Sequence, residues 1–362
     1  MLPSRALRQA QGPPQATTSR WLREMLPSRA SGNGSSMAEA LEAIGECLSS
    51  RGMSMGLLFI KRYNMKLSIT EQLSYSTVRL ECKNQNGLSA TGTGFFFKFT
   101  GDDNKQIPVI ITNKHVVGNM TNGKFIITKA DDQGKPLPTQ HFSINIDDEF
   151  EQWWVSHPDP SVDLCAMPIA PILRAAKLKN QRLFYRCLTK AILPTKKQRE
   201  DFHAIEDILM VGYPNGIWDS VNNQPIFRKG TTATNPNMDY NGNKEFMIDI
   251  ACFPGSSGSP VMIYNSNGFS TKSGKFNMGT QRLIFLGVLY AGPQHTAWGE
   301  IEIVNTPTSN VPRAISKIPN NLGLVIKSER ILELEKIFQT IIKNREENIR
   351  TGNEVPNGAT GR

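Results

Sequence analysis

The strongest constraint on the fold is a series of short apolar or β-branched segments separated by turn residues. GFFFKF, PVIIT, FMIDI and SPVMIY are typical of these segments, and Asn122-Gly123 and Asn241-Gly242 are typical of the turns. No amphipathic helical segments alternate with them, so a doubly wound α/β sheet is disfavoured. Many short strands joined by turns predict an all-β barrel or sandwich.

The segments fall into two groups, followed by a helical pattern in which Ile331, Leu334 and Phe338 recur at three- and four-residue spacing. The first 36 residues, rich in Pro, Ser, Gln, Gly and Arg, resemble neither group. We expect a poorly ordered extension at 1–64, a first β-barrel at 65–170, a connection at 171–206, a second β-barrel at 207–328, a C-terminal helix at 329–346 and a polar tail at 347–362.

Charge and cysteine content exclude several classes of protein. The net charge is +9, but the first 64 residues hold eight basic and four acidic residues, which leaves +5 for the rest. That is weak for a phosphate-binding surface, so no nucleic-acid partner is expected. No apolar run reaches the length of a membrane span, and the first residues contain no secretory apolar region. The five cysteines have no zinc-ligand spacing, so we expect reduced thiols, no metal or cofactor, and a cytoplasmic location without membrane attachment.

Three short motifs carry residues suited to nucleophilic catalysis. His115 follows an apolar strand in ITNKHVV, Asp163 begins one in VDLCAMPI, and Ser257 lies between glycines in PGSSGSPV. A serine hydroxyl needs a base to accept its proton during attack, and histidine suits this role near neutral pH. A carboxylate can hold the imidazole in one tautomer. The residues therefore predict a Ser-His-Asp triad.

The order His, Asp, Ser together with five motifs resembles the trypsin-like, chymotrypsin-fold serine peptidases. ATGTGFFF is similar to the family's first-barrel G-x-G strand, TNKHVV to its histidine motif, DLCAMPI to its aspartate motif, PGSSGSPV to its serine motif and GVLYAG to its cleft strand. The resemblance covers about residues 90–265 and implies two six-stranded antiparallel β-barrels with the active site between them. The C-terminal helix would follow the second barrel.

The resemblance also implies a role for each matched residue. His115 would be the general base, Asp163 its orienting carboxylate and Ser257 the nucleophile of a peptide-bond hydrolase. The backbone N–H groups of Gly255 and Ser257 would form the oxyanion hole. The substrate pocket would be formed by Ala251, Tyr290, Ala291 and Gly292.

The chain departs from the digestive members of the family at two positions. Ser256 replaces the aspartate that pairs with a freed N-terminus on activation, so we expect activity without N-terminal cleavage. In this respect the chain is similar to bacterial, heat-shock-type enzymes. We expect a stand-alone intracellular member of this type, without a PDZ domain. Ala251 occupies the position of the charge-selecting residue, which favours a small or apolar side chain before the cleaved bond.

Alternatives remain for the residues and for the function. Asp159 is a rival to Asp163, and Ser256 and Ser259 are rivals to Ser257; only Ser257 has glycine two residues before it and one after it. The rival function is a non-catalytic trypsin-like scaffold that binds polypeptides or serves in signalling. The sequence does not distinguish oligomeric states.

Overall fold

The computed structural model describes residues 67–101, 104–292, 294–300 and 313–351. The extension predicted at 1–64 lies outside these residues, as does the predicted tail beyond residue 351. No described helix is long and apolar enough to cross a membrane.

The first half of the described chain is a nine-stranded sheet. Seven strands are hydrogen-bonded in the order β5-β4-β1-β2-β3-β7-β6, while β8 pairs with β4 and β9 runs parallel to β2. The sheet therefore has nine strands rather than the predicted six, and two of them, β8 and β9, come from the connection predicted at 171–206. The strands are β1 (Thr77–Lys83), β2 (Ser89–Thr100), β3 (Gln106–Thr112), β4 (Asn122–Ala130), β5 (Pro136–Ile146), β6 (Val155–Ser156), β7 (Cys165–Pro168), β8 (Arg182–Phe184) and β9 (Leu188–Thr189).

The second half contains a closed barrel of six described strands, in the order β10-β11-β12-β19-β16-β13. Together with the C-terminal helix, this barrel confirms the all-β class. The barrel strands are β10 (Asp207–Gly212), β11 (Ile226–Thr232), β12 (Glu245–Asp249), β13 (Pro260–Asn265), β16 (Arg282–Ala291) and β19 (Leu322–Lys327). Two hairpins extend from it: β14 (Gly268–Ser270) with β15 (Phe276–Met278), and β17 (Gln294–Glu300) with β18 (Arg313–Pro319).

Five α-helices are described, of which four are short. They are α1 (Ile69–Ser74), α2 (Lys114–Val117), α3 (Ala170–Leu178), α4 (Lys196–Glu200) and α5 (Ile331–Thr351). Helix α1 begins at a capping box in which Ser68 and Glu71 bond each other's backbone N–H groups.

Strand β2 lies between the two halves of the molecule and is buried on both of its faces. Alternation along a strand places Phe95, Phe97 and Phe99 on one face. The ring of Phe285 in β16 lies 5.5 Å from that of Phe95, and the ring of Phe338 in α5 lies 5.4 Å from that of Phe99. This face of β2 is therefore the one against which the second barrel and the C-terminal helix pack.

Helix α5 is fixed to the end of β2 by polar contacts as well as by its apolar stripe. The Glu335 carboxylate accepts the backbone N–H of Thr100 at 2.7 Å and pairs with Lys190. Gln339 donates its side-chain N–H to the Thr100 carbonyl at 2.7 Å. Phe338 is fully buried, which contributes about 1.5–3 kcal/mol.

Candidate active site

The pairing of β3 with β7 brings His115 and Asp163 together. Thr112, at the end of β3, is paired with Cys165, at the start of β7. His115 lies just beyond the first strand and Asp163 just before the second, so both side chains extend from the same edge of the sheet. Asn113 fixes the segment further by donating its side-chain N–H to the Asp163 carbonyl at 2.7 Å.

The Asp163 carboxylate contacts His115 through both oxygens. Oδ2 lies 2.5 Å from Nδ1 of the ring, and Oδ1 accepts the backbone N–H of His115 at 3.1 Å. Because an ionised carboxylate can only accept, Nδ1 carries the proton and Nε2 is left as the basic nitrogen. The His115 side chain is 49% exposed, so Nε2 is accessible to a substrate.

The rival carboxylate, Asp159, has different partners. Its side chain accepts from Ser161 and from Arg330 at 2.8 Å. The bonds from Ser161, followed by the Arg330 cation, lower the pKa of Asp159 to about 2. Asp159 thus anchors the segment before Asp163 to the start of α5, while Asp163 contacts the imidazole.

The Ser257 loop requires glycine two residues before Ser257 and directly after it. Gly255 and Gly258 both have φ of +86°, in the left-handed region. A Cβ on Gly258 would overlap the Thr93 carbonyl and lie 2.6 Å from Oγ1 of Thr112. The loop therefore lies directly against the end of β3, the strand that leads to His115.

Of the three serines in this loop, only Ser257 is partly exposed. Ser256 and Ser259 are buried, and their hydroxyls have no partner among the described residues. The Ser257 hydroxyl makes no hydrogen bond to His115 or to any other described residue. Catalytic hydrogen bonds of this kind often tighten only around a bound substrate.

The N–H groups predicted to form the oxyanion hole are Gly255 N–H and Ser257 N–H. Neither donates to a backbone acceptor in the described chain. The Pro254 carbonyl accepts the N–H of Asn215 at 2.5 Å. Because a trans peptide is planar, fixing this carbonyl turns the Gly255 N–H to the opposite side. The arrangement leaves both N–H groups able to bind a developing oxyanion.

A turn that contains Asn215 is itself fixed to the first half. Asn215 has φ of +50°, and the next residue, Gly216, has its carbonyl bonded by Nε of Arg79 at 3.1 Å. The Arg79 guanidinium also stacks on the Trp218 ring at 4.0 Å. Sequence reasoning missed Asn215 and Arg79, since the only local signal was the Asn-Gly pair.

Two of the predicted pocket residues have charged neighbours that the sequence did not indicate. The Ala251 carbonyl accepts from the Arg228 guanidinium, which also stacks on Phe253 at 4.8 Å. Burial lowers the pKa of Arg228. The Tyr290 hydroxyl donates to Glu245 at 2.9 Å, and burial, followed by this carboxylate, raises the pKa of Tyr290.

Of the other predicted pocket residues, Ala291 is the last residue of strand β16 and Gly292 follows it. A Cβ on Gly292 would lie 3.6 Å from Cβ of Cys252 and 3.0 Å from the Leu322 carbonyl. Cys252 follows Ala251, so the structure brings together the two segments that were predicted to line one pocket. No group of three or more possible metal ligands occurs among the described His, Cys, Asp and Glu residues.

Comparison with known proteins identifies the family. The model of the trypsin-like peptidase domain matches residues 92–268, which include all three triad candidates. No curated protein sequence matches the chain.

Solved structures that resemble the chain include three proteases, each 14% identical to it. The HtrA-type protease AlgW with a tripeptide has a TM-score of 0.39 over 75% of this chain, which spans 62% of the AlgW chain. The active form of the Rv3671c protease from M. tuberculosis has a TM-score of 0.35, with 72% of this chain and 78% of that chain covered. The tobacco vein mottling virus protease has a TM-score of 0.36, with 74% and 83% covered. The family match shows that residues 92–268 form a trypsin-like peptidase domain.

Proposed function

We propose that the protein is a serine endopeptidase in which Ser257, His115 and Asp163 form a catalytic triad. The observation that carries the proposal is the bidentate contact of the Asp163 carboxylate with His115, at 2.5 Å to Nδ1 and 3.1 Å to the backbone N–H. This contact leaves Nε2 free to act as a base, and the loop that exposes Ser257 lies against Thr112, three residues before His115. An acyl-enzyme mechanism requires these elements.

The proposed reaction has two stages. Ser257 Oγ attacks the carbonyl carbon of the scissile peptide, and its proton passes to Nε2 of His115. The carbonyl oxygen becomes an oxyanion that accepts from Gly255 N–H and Ser257 N–H. On collapse the C–N bond breaks, and His115 gives its proton to the leaving amine. Water, deprotonated by His115, then attacks the acyl-enzyme. The ester C–O bond breaks, His115 returns its proton to Ser257 Oγ, and the carboxylic acid is released.

The proposal extends to substrates and location. The substrate is a polypeptide bound between the segments at 251–255 and 290–292. We place the protein in the cytoplasm, because Cys82, Cys165 and Cys252 are buried free thiols.

The test is covalent labelling with a fluorophosphonate probe together with hydrolysis of a peptide library. We expect wild-type protein to be labelled and to cleave peptides, and Ser257→Ala to do neither. Ser256→Ala is the matched control, because Ser256 is adjacent but buried; it should be labelled. A folded wild-type protein that is never labelled but binds peptides would contradict the proposal and favour the non-catalytic scaffold.

A further inference from the structure

Thr93, in the Gly-Thr-Gly segment of β2, contacts the Ser257 loop from the opposite half of the molecule. We infer that Thr93 is a positioning residue that holds the two oxyanion-hole residues, Gly255 and Ser257, by their carbonyl groups. The inference rests on the proposed serine peptidase function and assigns a role to a motif that the triad does not use.

Two hydrogen bonds join Thr93 to the oxyanion-hole residues. Its hydroxyl donates to the Gly255 carbonyl at 2.9 Å, and its backbone N–H donates to the Ser257 carbonyl at 2.8 Å. Thr93 is fully buried, so water does not compete for these bonds. The two bonds fix the 255–256 and 257–258 peptide units, which flank the 256–257 peptide that carries the Ser257 N–H.

The same hydroxyl also fixes the turn behind the Gly255 N–H. Oγ1 accepts the backbone N–H of Tyr213 at 3.1 Å, so its one proton is available for the Gly255 carbonyl. Tyr213 precedes the turn in which Asn215 holds the Pro254 carbonyl. The Thr93 hydroxyl therefore connects the Ser257 loop with the turn that orients the Gly255 N–H.

The flanking glycines explain how Thr93 reaches this position. A Cβ on Gly92 would overlap Val116, the residue after His115, and a Cβ on Gly94 would lie 2.6 Å from Ile110. The Thr93 carbonyl accepts from the Thr112 hydroxyl at 2.8 Å. The backbone at 92–94 thus lies between the His115 segment and the Ser257 loop, where it can set their separation.

The test compares Thr93→Val, Thr93→Ser and the control Thr232→Val. Valine keeps the shape of threonine but leaves the Gly255 carbonyl and the Tyr213 N–H without a partner. Thr232 is the matched control, because it is also buried and its hydroxyl accepts a backbone N–H, from Glu206 at 2.9 Å, and donates to a carbonyl, of Ala204 at 3.1 Å. It lies on β11, outside the Ser257 loop.

We expect Thr93→Val to lower kcat for a peptide substrate by roughly 10- to 100-fold, with KM changed less than about twofold, since misplacing a donor costs transition-state stabilisation. Thr93→Ser restores the hydroxyl and should recover most of kcat. Thr232→Val should keep the wild-type kcat at a temperature where thermal melts show all variants folded. Hydrogen exchange at the Tyr213 amide should be faster in Thr93→Val and unchanged in Thr232→Val.

The possible outcomes distinguish a failure of this inference from a failure of the proposed function. If wild-type protein is neither labelled nor active, the proposed function fails, and the role of Thr93 with it. If wild-type protein is active and Thr93→Val has the same kcat as Thr232→Val, only the role of Thr93 is refuted. If Thr93→Val does not fold, Thr93→Ala, which removes the hydroxyl without adding bulk, takes its place; a wild-type kcat in that variant overturns the inference.

Discussion

The conformation of Gly255 gives the sharpest prediction about the oxyanion hole. In Gly255→Ala, the added Cβ meets the Tyr213 carbonyl oxygen at 2.6 Å and the Asn215 backbone nitrogen at 3.2 Å. Both are backbone atoms, and the Asn215 N–H is the donor that holds the Pro254 carbonyl. The alanine can be accommodated only if the 254–255 peptide rotates or the turn at 213–215 moves away. Either change turns the Gly255 N–H out of the hole.

Two costs follow, and they affect different measurements. An L-residue at φ of +86° costs about 1–2 kcal/mol in the free energy of unfolding. Loss of one oxyanion donor lowers kcat by about 10²–10³, equivalent to roughly 3–4 kcal/mol of transition-state stabilisation. KM should change little, because the donor acts mainly on charge that develops during the reaction.

Gly274→Ala separates the two costs. Gly274 has φ of +84°, and no atom lies within 4 Å of its added Cβ. It should therefore show the backbone penalty in urea unfolding without any loss of kcat. The assay is steady-state hydrolysis of a peptide substrate by wild type, Gly255→Ala and Gly274→Ala, with urea unfolding of each. A Gly255→Ala protein whose kcat is within about threefold of the Gly274→Ala value would refute the assigned role of the Gly255 N–H.

Two further predictions concern the segment that carries Asp163, the proposed triad aspartate. Asp163→Asn should lower kcat by about 10⁴, since an amide no longer enforces the Nδ1–H tautomer, whereas Asp159→Asn in the same hydrolysis assay should lose less than about tenfold. Burial lowers the pKa of His157, and the Arg330 cation adds to this against the opposing Glu333 carboxylate. The unfolded chain then takes up a proton near pH 6.5 that the folded protein does not bind, so stability should fall as the pH drops below about 6.5. Urea unfolding at pH 7.5 and 5.5 should show a smaller difference for His157→Gln than for wild type, and an equal difference would contradict this account.

The sequence predicted those features of the site that depend on local chemistry. Gly255 was selected because a tight turn must present an N–H without a Cβ, and the structure places it at φ of +86°. The C-terminal helix was expected at 329–346 from its apolar stripe and is observed over Ile331–Thr351. In both cases the signal lies within a few residues of the feature that it predicts.

The features that were not predicted depend on partners far apart in the chain. Arg228 reaches the Ala251 carbonyl from 23 residues away, and the Asn215–Pro254 bond joins backbone atoms only. Because a backbone N–H does not depend on the type of residue, the sequence contains no signal for this bond. Similarly, β8 and β9 are each three residues or fewer, and they pair with the parts of β4 and β2 that β1 does not reach. Local periodicity does not indicate such pairing.

The two halves of the molecule contribute different parts of the proposed chemistry, so their alignment matters more than the stability of either half. The His115–Asp163 pair is built within the first sheet, by the register of β3 against β7. The nucleophile and the oxyanion donors belong to a loop of the second barrel. Thr93 spans 162 residues of sequence to bond that loop at Gly255, and it does so from a strand whose apolar face already packs against the second barrel. Apolar packing alone tolerates small sliding movements, whereas directional hydrogen bonds to two carbonyls of one turn do not. The distance between the base and the nucleophile should therefore respond more to Thr93→Val than to an apolar substitution in the phenylalanine cluster, such as Phe285→Leu.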